Sequence, residues 1–235
     1  MSIEIVKVTP KVTFGEGPFW DDETKSLYFV DVLGQSVSKY TPATESYSKA
    51  RIPAGSDDTT VSCVLPVEGV SDEFLVTIGN ELVRIRWDGK TDVVEIIETV
   101  AVAPKPELNC RFNDAKADSY GQIWIANKQV LFRFSDLGLA GMPDGMVIDE
   151  NDNLWIANFG GGQIINVDTR KPNTIIRTID LPVKETTSLA FGGPSLDELY
   201  VTTGSMLPID GNSSPEDGYV YKISGLGVRG FAGKS

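Results

Sequence analysis

The feature that most constrains this chain is a repeat of short apolar runs. Segments of four to seven residues rich in Val, Ile, Phe, Tyr and Trp are each closed by Gly, Asp, Asn or Pro, as at 27–31, 74–78, 123–126, 154–157 and 199–202. Helical periodicity is nearly missing, so the pattern predicts an all-β chain of short strands joined by tight turns. Gly79-Asn80, Asp88-Gly89 and Asp152-Asn153 are the turn signals.

The strands form a larger unit: a polar residue at a strand start, a short apolar strand, an acidic or glycine turn, then a strand carrying an aromatic. Glu16-Gly17-Pro18 leads to Tyr28, Asn113-Asp114-Ala115 to Trp124, Pro143-Asp144-Gly145 to Trp155, and Thr187-Ser188-Leu189 to Tyr200. A fainter copy runs from Thr60-Val61-Ser62 to Phe74. Self-similarity at this spacing predicts a β-propeller, whose four-stranded blades each take roughly 40–50 residues. The units begin near 16, 60, 114, 144 and 187, and the step from 114 to 144 is too short for four strands. Only three are expected there, at 112–117, 122–126 and 130–134.

Composition now excludes whole classes of chemistry. The 235 residues hold 21 basic and 33 acidic side chains, a net charge of −12 that disfavours nucleic acid and anionic membrane as partners. There is no histidine, which removes Ser-His-Asp triads, HExxH zinc sites and imidazole proton shuttles. Cys63 and Cys110 lack CxxC spacing and are expected as buried thiols in a reducing compartment. The first residues lack the pattern of a secretory leader, and no apolar run reaches membrane-spanning length, so a cytoplasmic protein is expected. Gly225-Leu226-Gly227-Val228-Arg229-Gly230 matches a dinucleotide fingerprint but has no room for the helix that must follow. Gly160-Gly161-Gly162 reads as a turn, and Trp20, Trp124 and Trp155 as packing between blades.

Inner strands of a propeller start at one mouth of a central channel. Glu16, Arg111, Asn113, Asp114 and Asp144 occupy such starts. Two carboxylates and an amide could begin a Ca²⁺, Mg²⁺ or Mn²⁺ site, or could satisfy turn amides. The residues alone leave both readings open.

A resemblance bears on the choice. Gly15-Glu16-Gly17-Pro18-Phe19-Trp20, Arg111-Phe112-Asn113-Asp114, Pro143-Asp144-Gly145-Met146, Asn153-Leu154-Trp155-Ile156-Ala157 and Phe191-Gly192-Gly193-Pro194 occur in this order. They resemble the regucalcin (senescence marker protein), gluconolactonase and luciferin-regenerating enzyme family. Ile223-Ser224-Gly225-Leu226-Gly227-Val228 looks most like its insect luciferin-regenerating branch. The resemblance implies a six-bladed propeller, a single domain over 1–235, and metal-dependent lactone hydrolysis of a small-molecule lactone by a monomer. It implies one divalent cation, Ca²⁺ first and Zn²⁺, Mn²⁺ or Mg²⁺ as alternatives. Glu16 and Asp144 match metal ligands, Asp144 also the catalytic position, and Arg111 and Asn113 match substrate-holding residues. The family's fourth-blade Asn ligand has no counterpart, since Asn127 and Asn158 follow aromatic second strands. About one blade is thus expected to be absent near 127–135, leaving about five blades' worth of strands. The alternative function is a non-catalytic calcium-binding or scaffold propeller.

Overall fold

The computed structural model describes residues 2–56, 59–102, 116–117, 123–124, 134–171, 174–206 and 214–231. The chain divides into two compact units, Met1–Gly15 with Lys128–Ala232 and Glu16–Asn127 with Gly233–Ser235. The expected all-β class holds throughout: the described residues form four four-stranded sheets and one two-stranded pair.

In the second unit, β2 (Gly15–Asp21), β3 (Ser26–Asp31), β4 (Ser36–Thr41) and β5 (Ser46–Arg51) form one antiparallel meander, following β1 (Glu4–Lys7) in sequence. β6 (Val61–Val67), β7 (Val70–Ile78), β8 (Glu81–Arg86) and β9 (Glu95–Val102) form the next. Burial falls from first strand to last: β3 is buried at every position, whereas β9 is exposed at every position. A strand covered on both faces has no need to alternate polar with apolar residues, and therefore appears in the sequence as an unbroken apolar run. Tyr28 packs on Phe74, with ring centroids 5.0 Å apart, and edge-on to Trp87 at 6.4 Å, tying the two meanders together.

The two-stranded pair is β10 (Lys116–Ala117) with β11 (Ile123–Trp124), inside two of the three strands expected between 112 and 134. The third expectation is corrected at its end. Phe134 opens a 3-10 turn, Phe134–Leu137, instead of closing a strand. Its ring is buried with Leu154, Ile156, Ile165 and Val167, so apolar packing and not strand pairing accounts for its place in the pattern. Residues 130–133 lie outside those described.

In the first unit, β12 (Met142–Ile148), β13 (Leu154–Phe159), β14 (Gln163–Val167) and β15 (Ile175–Asp180) form a third meander. The fourth sheet, ordered β1-β18-β17-β16, contains β16 (Thr186–Gly192), β17 (Glu198–Thr203) and β18 (Tyr221–Ser224), with β1 as its edge strand. Between these sheets lies a core of Trp155, Ala157, Leu189, Phe191, Val201 and neighbours. Each such large side chain removed from water contributes about 1.5–3 kcal/mol. The Gly160-Gly161-Gly162 turn falls where expected, between β13 and β14. After β18, Gly230 lies against Phe191, and no helix follows Gly225 among the described residues.

The pairing of β1 with β18 joins residues from opposite ends of the chain, Glu4 opposite Ser224 and Lys7 opposite Tyr221. Lys7 Nζ also reaches Glu216 Oε2 at 2.6 Å. That hydrogen bond holds the Glu216 carboxyl below the usual glutamate range, against the opposing effect of desolvation. A carboxyl depressed in the folded state stabilises above its unfolded pKa, and this support is lost as pH falls through the folded value. Lys7→Met should therefore melt below wild type at neutral pH, and the gap should close as the pH falls through the folded Glu216 value. Melting curves across that range check it; a gap independent of pH would remove the ion pair from the account.

Candidate functional site

In each unit the candidate groups lie where the first strands of the sheets begin. In β12, Pro143 pairs with Asn158 and Met146 with Ile156, so Asp144 and Gly145 together oppose Ala157. This is a β-bulge, which bends a strand locally and re-aims its side chains. In β6, Val61 pairs with Ile78 and Val64 with Val76, so Ser62 and Cys63 together oppose Thr77. In β16 the register slips between Thr186 and Ser188, leaving Thr187 as the extra residue. Asp144, Ser62 and Thr187 thus hold corresponding positions on three first strands. Glu16, followed by Gly17 with a φ of 52°, opens the fourth, β2.

Two glycines allow these starts to approach the neighbouring sheet. A Cβ on Gly145 would lie 2.1 Å from Ser188 Oγ and 2.6 Å from its Cα, closer than side-chain atoms can sit. A Cβ on Gly17 would lie 3.1 Å from the Cys63 Cα and 3.2 Å from the Ser62 carbonyl oxygen. An acid followed by a glycine at the strand start therefore occurs twice, as Glu16-Gly17 and as Asp144-Gly145, each glycine packed on the next first strand.

The two carboxylates differ in setting. Glu16 is buried, 8% exposed, and its Oε2 accepts the Gly17 N–H at 3.0 Å. Asp144 is half-buried. Arg111, Asn113 and Asp114 lie outside the described residues, as does Cys110. Cys63 is a buried thiol, as expected. Among the described residues no group of three or more His, Cys, Asp or Glu side chains gathers as a metal cluster.

Around Asp144 the sheet ends carry more polar groups than the motifs revealed. Asn158 Oδ1, Thr186 Oγ1 and Ser188 Oγ are fully buried and have no hydrogen-bond partner among the described residues. Asn158 sits between Gly141 and Gly161, where a Cβ would strike its amide. Thr187 Oγ1 donates to the Gly15 carbonyl at 2.6 Å, fixing the residue just before Glu16. Glu185, 2% exposed, accepts the Met206 N–H through Oε2 at 3.1 Å. The only sequence signal for these groups is the run of small polar residues at 185–188, which propensity alone assigns to a strand start. Hard oxygen donors make up this set, with no imidazole in the chain, and such donors suit a Ca²⁺, Mg²⁺ or Mn²⁺ ion better than a soft metal.

Successive four-stranded antiparallel meanders are the building units of a β-propeller. The comparisons with known proteins narrow this. The family described as SMP-30/Gluconolactonase/LRE-like region matches residues 14–132 and 125–205, and the chain belongs to that family. Regucalcin of Xenopus laevis is 25% identical over 308 aligned positions, covering 97% of this chain and 95% of that one. That alignment is longer than the 235 residues available to fill it, so the relative holds stretches that this chain lacks. A luciferin-regenerating enzyme structure shares 30% identity, covers 99% of this chain and 98% of its own, and superposes with a TM-score of 0.88. A calcium-binding regucalcin from Agrobacterium tumefaciens covers 96% of this chain and 94% of its own, with a TM-score of 0.72 at 17% identity. The expected family and propeller fold are thereby established, with four four-stranded sheets among the described residues instead of six blades. No helix among the described residues is long and apolar enough to cross a membrane.

Proposed function

We propose that this protein opens small-molecule lactones with the help of one divalent cation, Ca²⁺ being the first candidate. The observation that carries the reading is the bulged, glycine-backed carboxylate at Asp144, the residue that the sequence resemblance matches to the family's catalytic position. Glu16 and Asp144 would hold the cation, which when bound supplies Lewis-acid polarisation of an ester carbonyl. Asp144 takes a proton from the attacking water. The water oxygen bonds to the carbonyl carbon, the ring C–O bond breaks, and the ring oxygen takes the proton back from Asp144 to leave as the hydroxyl of a hydroxy acid. Arg111 and Asn113 grip the substrate's oxygens and fix its orientation. A lactone is also a partner that a chain of net charge −12 does not repel, as it would a polyphosphate.

The family match comes in two stretches that overlap over 125–132. This supports a stretch missing near 127–135 from an otherwise single propeller domain, and with it the fourth-blade Asn. Loss of one oxygen ligand weakens cation binding unless another oxygen replaces it. A second reading, a non-catalytic calcium-binding or scaffold propeller, is favoured by that loss, because turnover needs the cation held more firmly than a weakened site would hold it.

A pH-stat assay separates the two. The hydrolase reading expects the purified protein to release acid from an aldonolactone well above the buffer rate. Calcium binding by calorimetry with acid release at the buffer rate would replace it with the second reading.

A further inference from the structure

We propose that Thr187 is a positioning residue for Glu16: its hydroxyl fixes the peptide plane from which the Glu16 carboxylate reaches the cation. The inference rests on the reading of Glu16 as a cation ligand and adds a group that touches neither metal nor substrate.

The register places the hydroxyl. Thr187 is the extra residue where the pairing of β16 with β17 slips between Thr186 and Ser188. A bulge lifts its side chain out of the alternation that the strand would otherwise impose. Thr187 is fully buried, and its Oγ1 lies 2.6 Å from the Gly15 carbonyl oxygen, 172 residues away in sequence. A carbonyl only accepts, so the hydroxyl proton of Thr187 is committed to Gly15. The hydroxyl of Thr202, also fully buried, backs this bond from 2.9 Å and donates to the Ser188 carbonyl at 3.2 Å.

The chain carries the effect to Glu16. The Gly15 carbonyl and the Glu16 N–H belong to one planar peptide group, so fixing the oxygen fixes the plane. The residues before it are tied to the end of β17: Phe14 bridges Gly204, and the Ser205 N–H donates to the Thr13 carbonyl at 2.8 Å. Residues 13–15, 187 and 204–205 belong to one compact unit. On the far side, Glu16 Oε2 accepts the Gly17 N–H at 3.0 Å. The carboxylate is therefore placed by the backbone before it and after it, and loss of the Thr187 hydroxyl releases the first of these. Ca²⁺ takes oxygen ligands over about 2.3–2.6 Å, so a tilted plane weakens binding without removing a ligand.

The test uses the full chain and reads Ca²⁺ affinity by calorimetry beside the melting temperature. The variants are Thr187→Val, Thr187→Ala, Thr187→Ser, and Thr187→Val combined with Glu16→Gln. Thr203→Val is the control, since Thr203 is a second fully buried hydroxyl, on β17, donating to the Tyr219 carbonyl at 2.7 Å. The proposal expects Thr187→Val and Thr187→Ala to raise the Ca²⁺ Kd about five- to tenfold. Thr187→Ser keeps the hydroxyl and should stay within about twofold of wild type. On the Glu16→Gln background the Thr187→Val change should raise Kd by less than about twofold, because the residue it positions has already lost its charge. Thr203→Val should melt below wild type with its Ca²⁺ Kd unchanged. An unchanged Kd in Thr187→Val and Thr187→Ala, an equal rise on both Glu16 backgrounds, or an equal rise in Thr203→Val would make Thr187 structural and overturn the inference, leaving the cation reading in place. A wild type that takes up no Ca²⁺ would overturn both.

Discussion

Replacing Asp144 by Ala should lower kcat/KM for an aldonolactone by about 10²–10⁴-fold while moving the melting temperature by no more than about 2 °C. The effect is large because Asp144 is proposed both to take the water's proton and, with Glu16, to hold the cation, so its loss removes two contributions to the transition state. The structure explains why the fold should tolerate the change. Asp144 is half-buried at a bulge, and the contact that fixes β12 against β16 runs through Gly145 and Ser188. Asp144→Asn tests the same point with shape retained, and should fall nearly as far. Stopped-assay kinetics beside a melting curve provide the check. A folded Asp144→Ala protein with the wild-type rate would take Asp144 out of the chemistry.

The largest stability effect is expected a few residues further along. Asp149 is fully buried, and its Oδ1 accepts the N–H groups of Asn151 at 2.9 Å and Asn153 at 3.0 Å. Its Oδ2 accepts the indole N–H of Trp155 at 2.9 Å. Trp155 in turn packs edge-on to Phe191 across the core, with ring centroids 6.0 Å apart. Asp149→Ala would leave the buried indole and two turn amides without an acceptor, a loss of about 3 kcal/mol. For a chain of this size that corresponds to a melting temperature lowered by roughly 6–12 °C. Asp149→Asn keeps one acceptor oxygen and should fall between the two. Differential scanning calorimetry decides it, and a shift below about 2 °C would mean that water replaces the carboxylate.

Legibility from the sequence follows from which groups act alone and which act in pairs. The apolar runs at 27–31 and 199–202 were readable because β3 and β17 are buried almost throughout, so burial and not alternation sets their composition. The two acid–glycine starts were readable as motifs. What they do was not, because a bulge is a mismatch in count between two strands, such as Asp144 and Gly145 against Ala157, and one strand alone cannot reveal it. Phe134 misled for a related reason: an aromatic after an apolar run looks like a strand end, whether its ring is held by pairing or by a cluster on another sheet. The motifs at Ser62 and Asn158 do not reveal that these side chains are buried without a partner among the described residues, since that is recognised only from their surroundings. Asp149 left a trace that alignment of the repeats brings out. Asp21 closes β2 in the same way, its Oδ1 accepting the Glu23 N–H at 3.1 Å.

The central claim is that a cation held through Glu16 and Asp144 is needed for lactone opening. Its most direct test is the initial rate of aldonolactone opening by chelator-stripped protein as Ca²⁺ is added back, for wild type and for Glu16→Gln. The account predicts a stripped rate equal to buffer, saturable recovery in wild type, and a curve for Glu16→Gln displaced to at least about tenfold higher Ca²⁺. A stripped protein that opens the lactone at the full rate, or identical Ca²⁺ curves for the two proteins, would contradict it.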